Sequence, residues 1–189
     1  MFLFVWEFQG VRVRLCFSFL AVISLTCLLG GNGSGKILVM LGCCCLHECG
    51  HIAAMLICRC KPTALTLYGG GIRLTPSRKL NSFAKDAFIL ASGCAVNFML
   101  AFASCLLTGR LTFFAQTNLL LGGFNLIPTG FLDGGRLIEL VLGENKARAV
   151  KTVFALLAAL LAGVSLHSGG ISISLLCVLC YMCLSIFAS

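Results

Sequence analysis

Six apolar stretches, each near the length of a membrane-crossing helix, leave this chain few architectures: Leu15 to Gly30, Ile37 to Cys58, Ala84 to Thr108, Leu111 to Ile127, Val150 to Leu166 and Ile171 to Ala188. A helix needs about 20 residues to cross a hydrocarbon core ~30 Å thick. Inside lipid only helices and closed barrels satisfy their own backbone hydrogen bonds. Charged residues make up 11% of the 189 positions and hydrophobic ones 59%, against roughly 25% charged in a soluble domain. The polar connections are short. The pattern therefore predicts an all-α polytopic membrane protein of about six transmembrane helices, a single domain over residues 1–189, with the lipid bilayer as its solvent.

The net charge of +8 would suit a nucleic-acid partner if it lay on one soluble face. Instead, the basic residues sit at the ends of apolar spans, so nucleic acid is excluded as a partner and the charge is read as a topology signal. With the N-terminus inside, twelve of the 14 Lys and Arg fall in cytoplasmic segments, leaving Lys36 and Arg110 outside. Both termini are thus expected in the cytoplasm. Most of the 13 cysteines lie within apolar runs, where cysteine behaves as a small apolar residue. Cys58 and Cys60, flanking Arg59, are the pair expected to be exposed, one residue short of the spacing of a zinc knuckle.

Ala64 to Leu74, reading ALTLYGGGIRL, alternates apolar residues and is interrupted by Gly69, Gly70 and Gly71. This predicts a short β-hairpin or edge strand. A strand this short is a loop ornament in most proteins; beside a catalytic site its edge can instead take up an extended substrate by backbone pairing, and on that reading the three glycines are assigned to substrate binding.

The second span contains His47-Glu48-Cys49-Gly50-His51, an HExxH pattern in the middle of an apolar helix. At i and i+4 the imidazoles share one helical face and can bind a single zinc ion, with Glu48 placed to act as general base on water. The competing explanation is a pair of histidines bridging helices, with Glu48 in a buried ion pair. Ionisable groups at membrane depth are costly and mark functional sites, which favours zinc, one per chain.

A catalytic zinc keeps three protein ligands and one open position. Outside the motif the acidic residues are Glu7, Asp86, Asp133, Glu139 and Glu144, and the remaining histidine is His167. Asp133 stands in Asn125-Leu126-Ile127-Pro128-Thr129-Gly130-Phe131-Leu132-Asp133-Gly134-Gly135-Arg136. Proline and glycines there must break the fourth span, and broken backbone at membrane depth is tolerated where it lines a cavity or is buried in protein. Asp133 is therefore the expected third ligand. Its alternative role is that of N-cap to a helix starting near Gly134.

HECGH in an apolar span, followed about eighty residues later by NLIPTGFLDGGR, resembles the site-2 protease family of intramembrane zinc metalloproteases. The compact size is most similar to its stage IV sporulation branch. The resemblance implies zinc held by His47, His51 and Asp133, and Glu48 as base. It implies a catalytic role for Asn97, in the stretch Gly93-Cys94-Ala95-Val96-Asn97, where the family has an asparagine that positions substrate or stabilises the oxyanion. An interhelical hydrogen bond is the alternative use of a buried membrane asparagine. Asn125, heading the second motif, joins the substrate-binding set. The implied substrate is a membrane-associated protein such as a sigma-factor precursor, cut in a bacterial inner or cell membrane, with a regulatory membrane partner or a second copy of the chain as further candidates. The sequence departs from the family at Cys94, where proline is common, and in lacking a second proline between Pro128 and Asp133.

Two other functions use the same residues. A metal-ion transporter would spread acidic and histidine ligands over several spans, and the third, fifth and sixth offer almost none. An inactive membrane scaffold has no need of the costly HExxH groups.

Overall fold

The computed structural model describes residues 2–8, 10–17, 24, 34–60, 62–68, 71–76, 82–129 and 132–167. The chain forms two compact units, Met1–Gly123 and Phe124–Ser189, described in turn.

In the first unit, strands β1 (Phe2–Phe8) and β2 (Val11–Cys16) are followed by helix α1 (Ser34–Ile57), strands β3 (Pro62–Tyr68) and β4 (Gly71–Pro76), and helix α2 (Phe83–Thr108). Helix α3 (Phe113–Asn125) follows, and the boundary between the units falls after Gly123 in its last turn. The strands make one sheet in the order β1-β2-β3-β4, antiparallel at both ends and parallel at its centre. The β3–β4 hairpin occupies the segment whose alternation predicts it. Gly71 opens β4, whereas Gly69 and Gly70 lie outside the described residues.

Two expectations need amending. An all-α chain with one hairpin becomes a mostly helical chain with a four-stranded sheet, because Val11-Arg12-Val13-Arg14 alternates as a strand does. Read as topology charges, Arg12 and Arg14 conceal that period; in the sheet Arg12 lies opposite Glu7. As for the hairpin, β3 is interior, paired on both sides, and β4, like β1 at the other end, is an edge strand of the sheet among the described residues.

Helices α1 and α2 are long and apolar enough to cross a membrane. Their outward faces carry Leu38, Met99, Phe102, Leu106 and Leu107 in exposed positions, the reverse of a water-facing helix. Helix α3 has 13 residues, so it rises ~20 Å and falls short of the hydrocarbon thickness. The expected first span lies outside the described residues except for residues 15–17 and 24, and the sixth, Ile171 to Ala188, lies wholly outside them.

Helix α1 stops without glycine. Arg59 takes a left-handed conformation, φ 55°, while Cys60 N donates to Met55 O at 2.8 Å and Arg59 N to Leu56 O at 3.0 Å, the paired bonds of a Schellman ending. This turn tucks the chain back under the helix, so Cys58 and Cys60 are buried and the expected exposed pair is corrected.

In the second unit, helix α4 (Asp133–Leu142) is followed by α5 (Glu144–His167), which covers the expected fifth span. The two pack together, joined by an ion pair in which buried Lys151 donates to Glu139. Glu139 is thereby committed. The first turn of α4 rests on the 126–129 backbone so closely that a Cβ at Gly134 would meet Leu126 O at 2.1 Å, and one at Gly135 would meet Thr129 O at 1.6 Å. The glycine pair here is a packing requirement. Gly135→Ala should destabilise the protein by about 3 kcal/mol through overpacking, read as a lowered Tm in detergent; an unchanged Tm would show that the two backbones do not meet.

Candidate metal centre

Helical spacing puts His47 and His51 on the same face of α1, and both are buried. Their neighbour is Gly93 of α2, admitted by an equally close approach at Gly50, where a Cβ would lie 2.9 Å from Ser92 O. Any side chain at residue 93 would intrude on the imidazoles: its Cβ would stand 2.4 Å from His51 Nε2 and 2.7 Å from His47 Nε2. The space beside both Nε2 atoms exists because residue 93 is glycine.

The other ring nitrogens are engaged. His51 Nδ1 lies 2.7 Å from the Ile89 carbonyl, and a carbonyl can only accept, so Nδ1 carries the hydrogen. Ser92 Oγ donates to the same carbonyl at 2.7 Å. His47 Nδ1 lies 2.5 Å from Asn97 Oδ1. With both hydrogens on Nδ1, each neutral ring carries its lone pair on Nε2. The two Nε2 atoms are 3.2 Å apart with the rings edge to face. Two lone pairs that converge at that distance can be shared by one cation. Two tetrahedral zinc–nitrogen bonds would set the nitrogens about 3.3 Å apart, so the donor set fits zinc.

Asp133 lies in the first turn of α4, half-buried; the N-cap position belongs to Leu132, which makes no side-chain cap bond. The capping role that competes for Asp133 is therefore not the one it plays. His47 and His51 belong to the first unit and Asp133 to the second. Two histidines and a carboxylate make up the protein ligand set of a known class of catalytic zinc site. Glu48, next to His47 on α1, is half-buried.

Asn97 is fully buried and bonded at both ends of its carboxamide, with Oδ1 facing His47 and Nδ2 donating to Asn118 Oδ1 at 2.7 Å. Its oxygen is thereby committed to His47 and its nitrogen to Asn118. Asn125 ends α3, half-buried, ahead of the break. Buried Thr129, in the turn that follows, carries a hydroxyl with no hydrogen-bond partner among the described residues. The residue that sequence reasoning passes over is Asn118, fully buried on α3. Its signal is a carboxamide inside Phe113-Phe114-Ala115-Gln116-Thr117-Asn118-Leu119, since a polar group at membrane depth must find a partner.

Gly93→Ala should lower the zinc content of purified protein on the order of tenfold or more while helical content by circular dichroism stays at the wild-type value. Wild-type zinc in a folded Gly93→Ala protein would place the ion elsewhere.

A family model described as peptidase family M50 matches residues 105–166, a stretch that includes Asp133 but not His47, Glu48 or His51. No curated protein matches the chain. A solved structure of a site-2 protease from Methanocaldococcus jannaschii superposes with a TM-score of 0.69 at 20% identity, covering 100% of this chain and 94% of that one. At that identity the likeness speaks for the architecture, and the chain has the fold of a site-2 protease.

Proposed function

We propose that the chain is an intramembrane zinc metalloprotease that hydrolyses a peptide bond in or beside a transmembrane segment. The observation that carries this is the pair of buried imidazoles on an apolar helix, their Nε2 atoms 3.2 Å apart and turned to the space beside Gly93. The M50 match and the site-2 protease fold support the same reading.

His47, His51 and Asp133 would hold the metal. Zinc, when bound, supplies a Lewis acid that polarises the scissile carbonyl and acidifies water. Glu48 takes the proton from the attacking water and returns it to the leaving amine. His47 and His51 keep their orientation through Asn97 and Ile89, so no ligand has to reorganise during the reaction. The low dielectric around α1 and α2 strengthens the attraction between the charged groups.

A substrate helix hides its carbonyls in its own hydrogen bonds and must unwind before attack. Backbone pairing with the edge of β4, entered through Gly69, Gly70 and Gly71, would replace the lost bonds. Asn125 would bind the unwound strand where α3 breaks. The substrate is a membrane-associated regulatory protein of the sigma-factor-precursor kind, as in sporulation, and the chain lies in a bacterial cell membrane with both termini in the cytoplasm, as the distribution of Lys and Arg indicates.

Glu48→Gln separates base from ligand. The variant should retain zinc and lose roughly 10²–10⁴-fold in cleavage of a reconstituted single-span reporter whose span contains glycine and proline. Cleavage at the wild-type rate would overturn Glu48 as the base.

A further inference from the structure

We propose that Asn118 is a positioning residue for the metal centre, which acts through Asn97 to lock His47 in the tautomer that presents Nε2 as a ligand. This rests on His47 being a metal ligand. Its first readout, however, requires neither metal nor activity.

The relay starts at a backbone carbonyl. Amide orientations and imidazole tautomers are ordinarily assigned from the network around them, and here the network has one fixed end. Phe114 O can only accept, so the Asn118 atom 2.9 Å from it is the amide nitrogen. Asn118 Oδ1 therefore points the other way, toward Asn97 at 2.7 Å, and Asn97 must present its own amide nitrogen there. That turns Asn97 Oδ1 toward His47 Nδ1 at 2.5 Å. An oxygen acceptor at that position requires the hydrogen on Nδ1, which puts the lone pair, the metal-binding electron pair, on Nε2. Reversing Asn118 alone would set its oxygen against Phe114 O and its nitrogen against Asn97 Nδ2, and reversing Asn97 alone would set its oxygen against Asn118 Oδ1.

Three helices are joined by these bonds. His47 lies on α1, Asn97 on α2 and Asn118 on α3, and the second hydrogen of Asn118 Nδ2 faces Cys43 Sγ of α1 at 3.1 Å. Both asparagines are fully buried, so water cannot stand in for a missing partner. The approach of α3 to α2 is close: a Cβ at Gly122 would lie 3.3 Å from Asn97 Cβ and 3.1 Å from the Phe98 ring. His51 is oriented independently, by Ile89 O, and serves as an internal control.

The test is ¹⁵N-histidine NMR of metal-free protein in micelles at pH 8, above the ordinary histidine pKa of about 6.5. Wild type should show His47 as a single Nδ1–H tautomer. Asn118→Leu, close to asparagine in shape but unable to hydrogen-bond, should give a mixture of both tautomers at His47 and leave His51 unchanged. Zinc affinity from chelator competition should fall roughly 10–100-fold, the usual effect of losing an outer-shell partner. In an Asn97→Leu background the same change should add almost nothing, because its route to His47 has already been cut. A folded Asn118→Leu protein with His47 still in one tautomer overturns the proposal, whatever its proteolytic activity. If His51 also scrambles, the variant has lost its fold, and Asn118→Ala, which adds no bulk against Cys43 and Phe114, takes its place. In that variant a mixture at His47 with His51 unchanged supports the relay, and a single His47 tautomer overturns it.

Discussion

Both imidazoles of α1 give their Nδ1 hydrogens to acceptors on α2, and the rest of the site follows from that arrangement. A buried imidazole nitrogen without a partner costs about 1–3 kcal/mol, so two histidines on an apolar helix are stable only if a neighbouring helix meets them. Helix α2 does so with the Ile89 carbonyl and the Asn97 carboxamide, two acceptors about two helical turns apart. Between them stands Gly93, which removes the side chain that would otherwise fill the space at Nε2. The same contact thus supplies acceptors on one side of each ring and room for an ion on the other.

The second unit is organised by a different device. Asp133 begins a helix rather than sitting within one, and its carboxylate lies in the first turn, where the helix dipole favours negative charge. The position of that turn is set by Gly134 and Gly135 packing directly on the backbone of Leu126 and Thr129. A carboxylate carried on a turn held by backbone contact cannot drift as a long side chain on a loop would.

How much of this can be read from the sequence depends on whether the constraint is local. His47, Glu48 and His51 are legible because a four-residue helical spacing and a shared ion are one geometric requirement. Asp133 emerges by elimination among few acidic residues, and the β3–β4 hairpin from its alternation. Asn97 is visible as a polar residue in an apolar run, but not which side of its carboxamide faces what. Asn118 is just as visible, yet its role depends on α3 meeting both α1 and α2, and periodicity within one helix carries no such information. The strand pair β1–β2 is hidden for the opposite reason: Arg12 and Arg14 satisfy a topology rule and a strand period at once, and a register with Ala64 and Thr66 of β3, far along the chain, decides between them. The burial of Cys58 and Cys60 escapes the sequence because the left-handed turn at Arg59 is unfavourable for a non-glycine residue by roughly 1–2 kcal/mol, and nothing local announces it.

If the histidine pair and Asp133 hold one catalytic zinc ion, metal analysis of the purified, detergent-solubilised protein will show it most directly. One zinc per chain in the wild type, largely lost in Asp133→Ala and partly retained in Asp133→Asn, is the predicted result. Wild-type protein without zinc after expression in zinc-replete medium, or an Asp133→Ala variant with undiminished zinc, would contradict it.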